Sequence, residues 1–162
     1  MPDRSLARGL FSHDTETLVK AVTGRGPGYW VVTPLVTDAG TILVNRGFVP
    51  NERRDRAAHS AGEISEVLTV TGLLRLSEPD GGFLRRNDPR AERWYSRDVA
   101  AIARARGIGT VAPYFIDADA TAHPGGLTVV TFRNVHLVYA LTWFALAGLS
   151  AWGAWLIASR CR

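Results

Sequence analysis

Apolar residues along the chain fall into short runs, broken by glycine, proline and charge, until one long run near the C-terminus. Thr17–Val22 and Gly28–Val36 are rich in Val, Trp, Tyr and Thr and read as strands. Thr37-Asp-Ala-Gly40 is a turn signal, so the second strand is expected to fold back into Thr41–Val49 as a hairpin. Pro34 marks its strand as an edge or as bulged at that point. Residues 51–62 are charged or small and read as a loop, and Gly24-Arg-Gly-Pro-Gly28 reads as a turn. Ile64–Leu76 alternates as a long strand, and Ser77–Asn87 is loop again. Ser96 is expected to cap a short helix, with Asp98 at its positive end and Gly107 as its stop. Val99, Ile102, Ala103 and the stem of Arg106 form its buried stripe. Ala112–Ile116 and Leu127–Phe132 are two further strands around a Pro-Gly-Gly loop. Met1–Gly9 reads as polar and basic, with no strand.

From Leu137 to Ala158 no side chain is charged. That run is roughly 20 residues, and about 20 helical residues cross a hydrocarbon core about 30 Å thick. Tyr139, Trp143, Trp152 and Trp155 lie toward its two ends, as interfacial aromatics do. The expected fold class is therefore α+β: a small antiparallel sheet or partly closed β-barrel with one short helix, then one C-terminal transmembrane helix. The expected domains are a β-rich extracytoplasmic domain over 1–134, the transmembrane helix over 135–159 and a basic tail over 160–162. Arg160 and Arg162 favour a cytoplasmic or matrix tail, which puts the larger part in the periplasm or the intermembrane space. The first 30 residues hold no apolar signal segment, so the C-terminal run acts as a tail anchor or an upstream helix supplies translocation.

Composition changes this picture little. The chain has 162 residues, 46% apolar and 21% charged, with 16 glycines and 8 prolines, enough for one domain with its own core. The net charge is +4, carried almost wholly by arginine, with Lys20 the sole lysine. The arginines are interspersed with acids and lack a basic stripe with interleaved aromatics, so they read as solvated surface and not as a nucleic-acid face. Cys161 is the only cysteine, which excludes an intrachain disulfide and a thiolate metal site.

The search for catalytic chemistry returns little. No phosphate-cradling loop ends in Lys-Ser/Thr, no Gly-x-Ser-x-Gly elbow occurs, and no carboxylates pair as acid and base. The chain is read as a non-enzyme. His13 and His59 sit in polar loops and read as solvated; His123 precedes a turn and lacks ligand partners. His136 differs. On a helix it shares a face with Ala140, Trp143, Ala147, Ala151, Ala154 and Ala158. Such a face admits another helix closely, or a flat macrocycle whose iron the imidazole ligates, with Arg133 one turn earlier to meet a propionate. His136 as a simple headgroup anchor fits the same spacing. Apart from that haem iron, no metal is expected.

The blocks Pro27–Leu35, Leu43–Pro50, Asn87–Pro89, Arg93–Asp98, Ala112–Asp117 and Asn134–Phe144 together resemble the Surfeit locus protein family of cytochrome c oxidase assembly factors. Val-Asn-Arg-Gly (44–47) and Asn-x-His-x-x-Tyr-Ala-x-Thr-Trp-Phe (134–144) carry most of the likeness. The resemblance implies an inner-membrane protein, bacterial or mitochondrial, that helps insert haem A into oxidase subunit I. It implies subunit I, haem A synthase and membrane lipid as partners, and haem A as a transient cofactor. His136 is then the haem-contacting residue, with Arg133, Tyr139 and Trp143 beside it, and Asn45, Arg46, Gly47 and Asn134 are motif residues. The alternative within the same family is a cofactor-free scaffold for those partners. The resemblance also implies a first transmembrane helix and an opening strand ahead of Leu10, and neither is read in these residues.

Overall fold

The computed structural model describes residues 4–60, 63–82, 84–119 and 136–160. The chain divides into two compact units, Met1–Val130 and Thr131–Arg162.

The first unit is a small mixed barrel. Its strands are β1 (Arg4–Phe11), β2 (Thr17–Thr23), β3 (Gly26–Thr37), β4 (Gly40–Pro50), β5 (Leu68–Leu76) and β6 (Val111–Ala118). Sheet order is β1-β5-β6-β4-β3-β2, and β1 also pairs with β3, so five strands close a ring from which β2 extends. The β3–β4 hairpin turns at Gly40, whose φ of 128° suits glycine. β1 and β2 share one flank of β3: β2 runs opposite Gly26–Val32 and β1 opposite Leu35 and Val36. A 3₁₀ turn at His13–Thr15 separates them. Pro34 sits at this break, where its carbonyl accepts from Ser12 N at 2.8 Å and no strand asks it for an N–H. Its strand is therefore interior to the sheet, not an edge.

Three expectations change. The sheet is not purely antiparallel, because β4 and β6 run parallel, from Thr41↔Val111 to Asn45↔Asp117. An opening strand is present: β1 pairs with β5 from Arg4↔Leu73 to Gly9↔Leu68. Its inward positions are Ala7, Gly9 and Phe11, while Leu6, 72% exposed, and Leu10 face outward. A Cβ on Gly9 would lie 2.2 Å from Val36 O, so only glycine lets β1 cross to β3 there. Finally, Ile64–Val67 precedes β5 and does not join it.

Two apolar clusters hold the unit. Ala7, Phe11, Leu35, Val44, Val70 and Ile116 fill the barrel. On the other face α2 (Val99–Ala105) places Val99 and Ile102 against Val19, Val32, Leu43 and Phe115, with Trp94. Each such side chain contributes about 1.5–3 kcal/mol. The expected stripe of Val99, Ile102 and Ala103 is buried as read. The cap differs: Asp98 accepts from Ala101 N at 3.0 Å, and Gly107 ends the helix at φ 64°. A second, four-residue helix, α1 (Arg56–His59), lies in the segment read as loop.

The second unit contains α3 (His136–Arg160). Trp143, Phe144, Leu146, Leu149, Trp152 and Trp155 are all at least half exposed on it. At about 100° per residue these six positions go round the whole circumference. Among the described residues no helix is long and apolar enough to cross a membrane. The expected strand Leu127–Phe132 and His123 lie outside the described residues.

Candidate functional site

The Asn45-Arg46-Gly47 motif builds a β-bulge. Trp30 pairs with Phe48 and Val32 with Asn45, so Arg46 and Gly47 together oppose Val31 alone. Gly47 takes φ 129°, which glycine adopts without a Cβ penalty. Asn45 Oδ1 accepts from Gly47 N at 3.1 Å, which pairs an N–H the bulge takes off the ladder. Asn45 Nδ2 donates to Asp117 Oδ1 at 2.8 Å. Its neighbour Arg46 is 1% exposed, with its guanidinium 5.4 Å from the ring centroid of Phe11.

A buried cation needs partners, and they come from segments read as surface loop. Arg46 Nη1 donates to His13 Nδ1 at 3.1 Å. His13 Nε2 lies 3.1 Å from Ile64 O, which only accepts, so the tautomer protonated at Nε2 satisfies both contacts. Glu16 Oε2 stands 3.9 Å from Arg46 Nη1, and Glu16 Oε1 lies 2.8 Å from His59 Nε2. His59 Nδ1 donates to Arg53 O at 2.9 Å. Arg56 straps the covering segment down, with both oxygens of Glu63 and with Asp14 Oδ1.

His13 and His59 are thus not solvated; they are 9% and 5% exposed. The 3₁₀ turn and α1 fold over Arg46, a packing that local polarity does not reveal. One signal was available: an arginine inside the apolar run Leu43–Val49 must find an anion or acceptors within the fold. Burial lowers the Arg46 pKa, and Glu16 and Glu63 act against that. Hydrogen bonds from Arg56 hold Glu63 below the usual carboxylate range.

A second network lies on the α2 face. Asp117 accepts from Asn45, from Arg75 Nε at 3.0 Å and from Arg97 Nη1 at 3.1 Å. Arg97 also grips Glu78 and stacks over Phe115 at 4.7 Å. Desolvation raises the Glu78 carboxyl, but the Arg97 hydrogen bonds outweigh it and leave the pKa lowered. Asn87 Oδ1 accepts from Tyr95 N and Ser96 N, and Ser96 Oγ donates to Glu78 O. Ser96 therefore ties two loops together and does not cap α2. These groups answer one another, which suits a rigid frame more than a centre of turnover. No metal-ligand cluster occurs among the described residues.

The remaining expected site residues belong to the other unit. Arg133 and Asn134 lie outside the described residues. His136 is the first residue of α3 and Tyr139 lies in its first turns; the side chains of both lie outside the described residues. Trp143 is 70% exposed. It stands seven residues, about two helical turns, from His136.

Comparison with known proteins gives a consistent result. The SURF1 family model matches residues 3–148. Surfeit locus protein 1 of Homo sapiens is 39% identical over 151 residues, covering 89% of this chain and 46% of that protein. Its Mus musculus counterpart is 36% identical and covers 90% of the chain and 54% of its own length. A SURF1-like protein of Monosiga brevicollis is 34% identical, covering 91% and 63%. The chain spans about half the length of the mammalian relatives it matches.

Proposed function

The chain belongs to the SURF1 family, and on that premise we propose that it is a membrane-anchored, non-enzymatic assembly factor for haem-copper cytochrome c oxidase. In this reading residues 135–159, which hold all of α3 but its last residue, cross the inner membrane. The barrel then lies in the periplasm, or in the intermembrane space of a mitochondrion. The chain assists delivery or insertion of haem A into subunit I, with haem A synthase, subunit I and lipid as partners.

One observation carries the reading: α3 leaves large apolar side chains exposed on every side, and it begins at His136. A helix apolar all round needs an apolar surround, which lipid supplies. An imidazole at its start is then placed where chain meets water, in reach of a porphyrin held at the interface. Haem A is cargo here. His136 would ligate its iron, Arg133 would pair with a propionate, and Tyr139 and Trp143 would flank the ring.

The test is an absorption spectrum of the full chain, purified in detergent after co-production with haem A. A Soret band, lost or shifted in His136→Ala, is expected. A colourless protein that still co-purifies with subunit I or haem A synthase would favour the scaffold role, with the face of Ala140, Ala147 and Ala151 as a helix contact. A chain that stays in solution without detergent or lipid would end the membrane reading.

A further inference from the structure

A cleft opens on the barrel between β2, the start of β3 and the loop that carries Arg85. Its volume is about 360 Å³, and Lys20, Val22, Pro27, Asn51, Arg85 and Tyr95 line it. Its polar chemistry has one sign. Lys20 Nζ lies 5.5 Å and the Arg85 guanidinium 5.4 Å from the Tyr95 ring centroid, so two cations converge on one aromatic ring. Among the described residues no carboxylate lines the cleft. A neighbouring cavity of about 390 Å³ shares Arg85 and Tyr95 and adds Arg86. Its one acid, Asp88, is already bonded to Arg93 at 2.9 Å.

The cleft contrasts with the ion-paired arginines of the unit. Arg46, Arg56, Arg75, Arg97 and Arg106 each face a carboxylate. Among the described residues the side chains of Lys20, Arg85, Asn51 and Tyr95 make no hydrogen bond or ion pair. Lys20 and Arg85 offer donors only, and Asn51 and Tyr95 each offer a donor beside an acceptor oxygen. Two like charges near one ring repel, and a bound anion offsets that repulsion.

We propose that this cleft binds a phosphate group. Lys20 and Arg85 supply the charge, Arg85 offers a fork of N–H donors, and Asn51 and Tyr95 complete the donor set. Val22, which is 87% exposed, and Pro27 form an apolar wall beside it. The phosphate belongs to a phospholipid headgroup or to a free phosphate compound. The inference is independent of the haem reading, because it uses residues of the barrel alone.

The test is calorimetric titration of the full chain in maltoside micelles, which contain no phosphate. The probes are inorganic pyrophosphate and short-chain phosphatidylglycerol, with short-chain phosphatidylcholine as the zwitterionic comparison. Binding of pyrophosphate or phosphatidylglycerol, weakened about tenfold in Lys20→Gln and in Arg85→Gln, is expected, since each charge-assisted bond counts for about a factor of ten. Binding by phosphatidylglycerol alone assigns the site to a headgroup; binding by pyrophosphate alone assigns it to a free phosphate compound. Arg104→Gln, a distant exposed change on α2, is expected to bind as wild type. All three side chains are exposed, and unchanged circular dichroism confirms that the variants fold. The proposal is overturned if neither probe binds, if the Lys20 and Arg85 variants bind as wild type, or if Arg104→Gln loses as much as they do.

Discussion

Glu16→Gln isolates the buried charge that the bulge creates. The substitution is nearly isosteric, and with His59 Nδ1 donating to Arg53 O the new amide NH2 can donate to His59 Nε2. What it removes is the anion 3.9 Å from Arg46 Nη1, in a site where the two side chains are 1% and 9% exposed. At an effective dielectric of ~20, that separation corresponds to about 4 kcal/mol of attraction. Glu63, further out, still acts on Arg46 and returns part of this. Breaking a buried pair from one side costs about 3–5 kcal/mol. The 3.9 Å spacing is too long for a hydrogen bond, which places the expected loss near the lower end, about 2–4 kcal/mol. Against a total of about 5–15 kcal/mol, that is a large fraction. The assay is urea denaturation in detergent micelles, followed by near-ultraviolet circular dichroism. The midpoint is expected to fall by about 1–2 M, since m is about 1–3 kcal/mol/M for small proteins. Adding Arg46→Met should recover part of the loss, because the stranded charge goes with it. A Glu16→Gln protein within ~1 kcal/mol of wild type, or strict additivity in the double variant, would refute the claim that Arg46 depends on this carboxylate.

Two further outcomes follow from the same geometry. Glu63 and Glu78 titrate below their usual range in the folded state. Their stabilisation is therefore present above the unfolded carboxylate pKa of about 4.3 and is lost as pH falls through the lower folded values. The urea midpoint should stay level down to about pH 5 and drop below about pH 4, and Arg56→Gln should flatten that drop by removing the main cause at Glu63; an unchanged acid limb in Arg56→Gln would count against it. Gly47→Ala puts a Cβ on a residue at φ 129°, so a loss of about 1–3 kcal/mol in the same denaturation assay is expected, and a neutral result would mean that the bulge relaxes.

Local structure was legible where its cause is local. The β3–β4 hairpin follows from alternation and a four-residue turn, and α2 from an apolar stripe with an acidic start and a glycine stop. β1 was not legible because its alternation is inverted. Ala7 and Gly9 face inward and are too small to register as a buried stripe, while Leu6 and Leu10 point out. The parallel β4–β6 pairing joins strands far apart in sequence, with β5 and α2 between them, and no periodicity encodes it. The site divided the same way. Asn45, Arg46 and Gly47 were visible as a motif, but His59 read as a solvated loop residue, and its contact with Glu16 spans 43 residues. Where the large apolar residues of α3 stand follows from helical phase, and they do ring the helix.

The bulge also explains how three consecutive residues serve both faces of the sheet. Successive side chains of a strand face opposite sides. Arg46 turns into the barrel toward Phe11, His13 and Glu16, while Asn45 turns to the α2 face and holds Asp117. Gly47 makes both geometries compatible by taking the extra residue of the bulge. Asn45↔Asp117 is moreover the last pair of the parallel β4–β6 ladder, and Asp119 N then bonds Thr71 O at 2.8 Å. The motif therefore fixes the register of the one parallel pairing at the point where β6 ends. A change at any of the three loosens the inner charge cluster and the outer network together. The motif thus acts by position: it fixes where β6 ends and ties both networks to one bulge of β4.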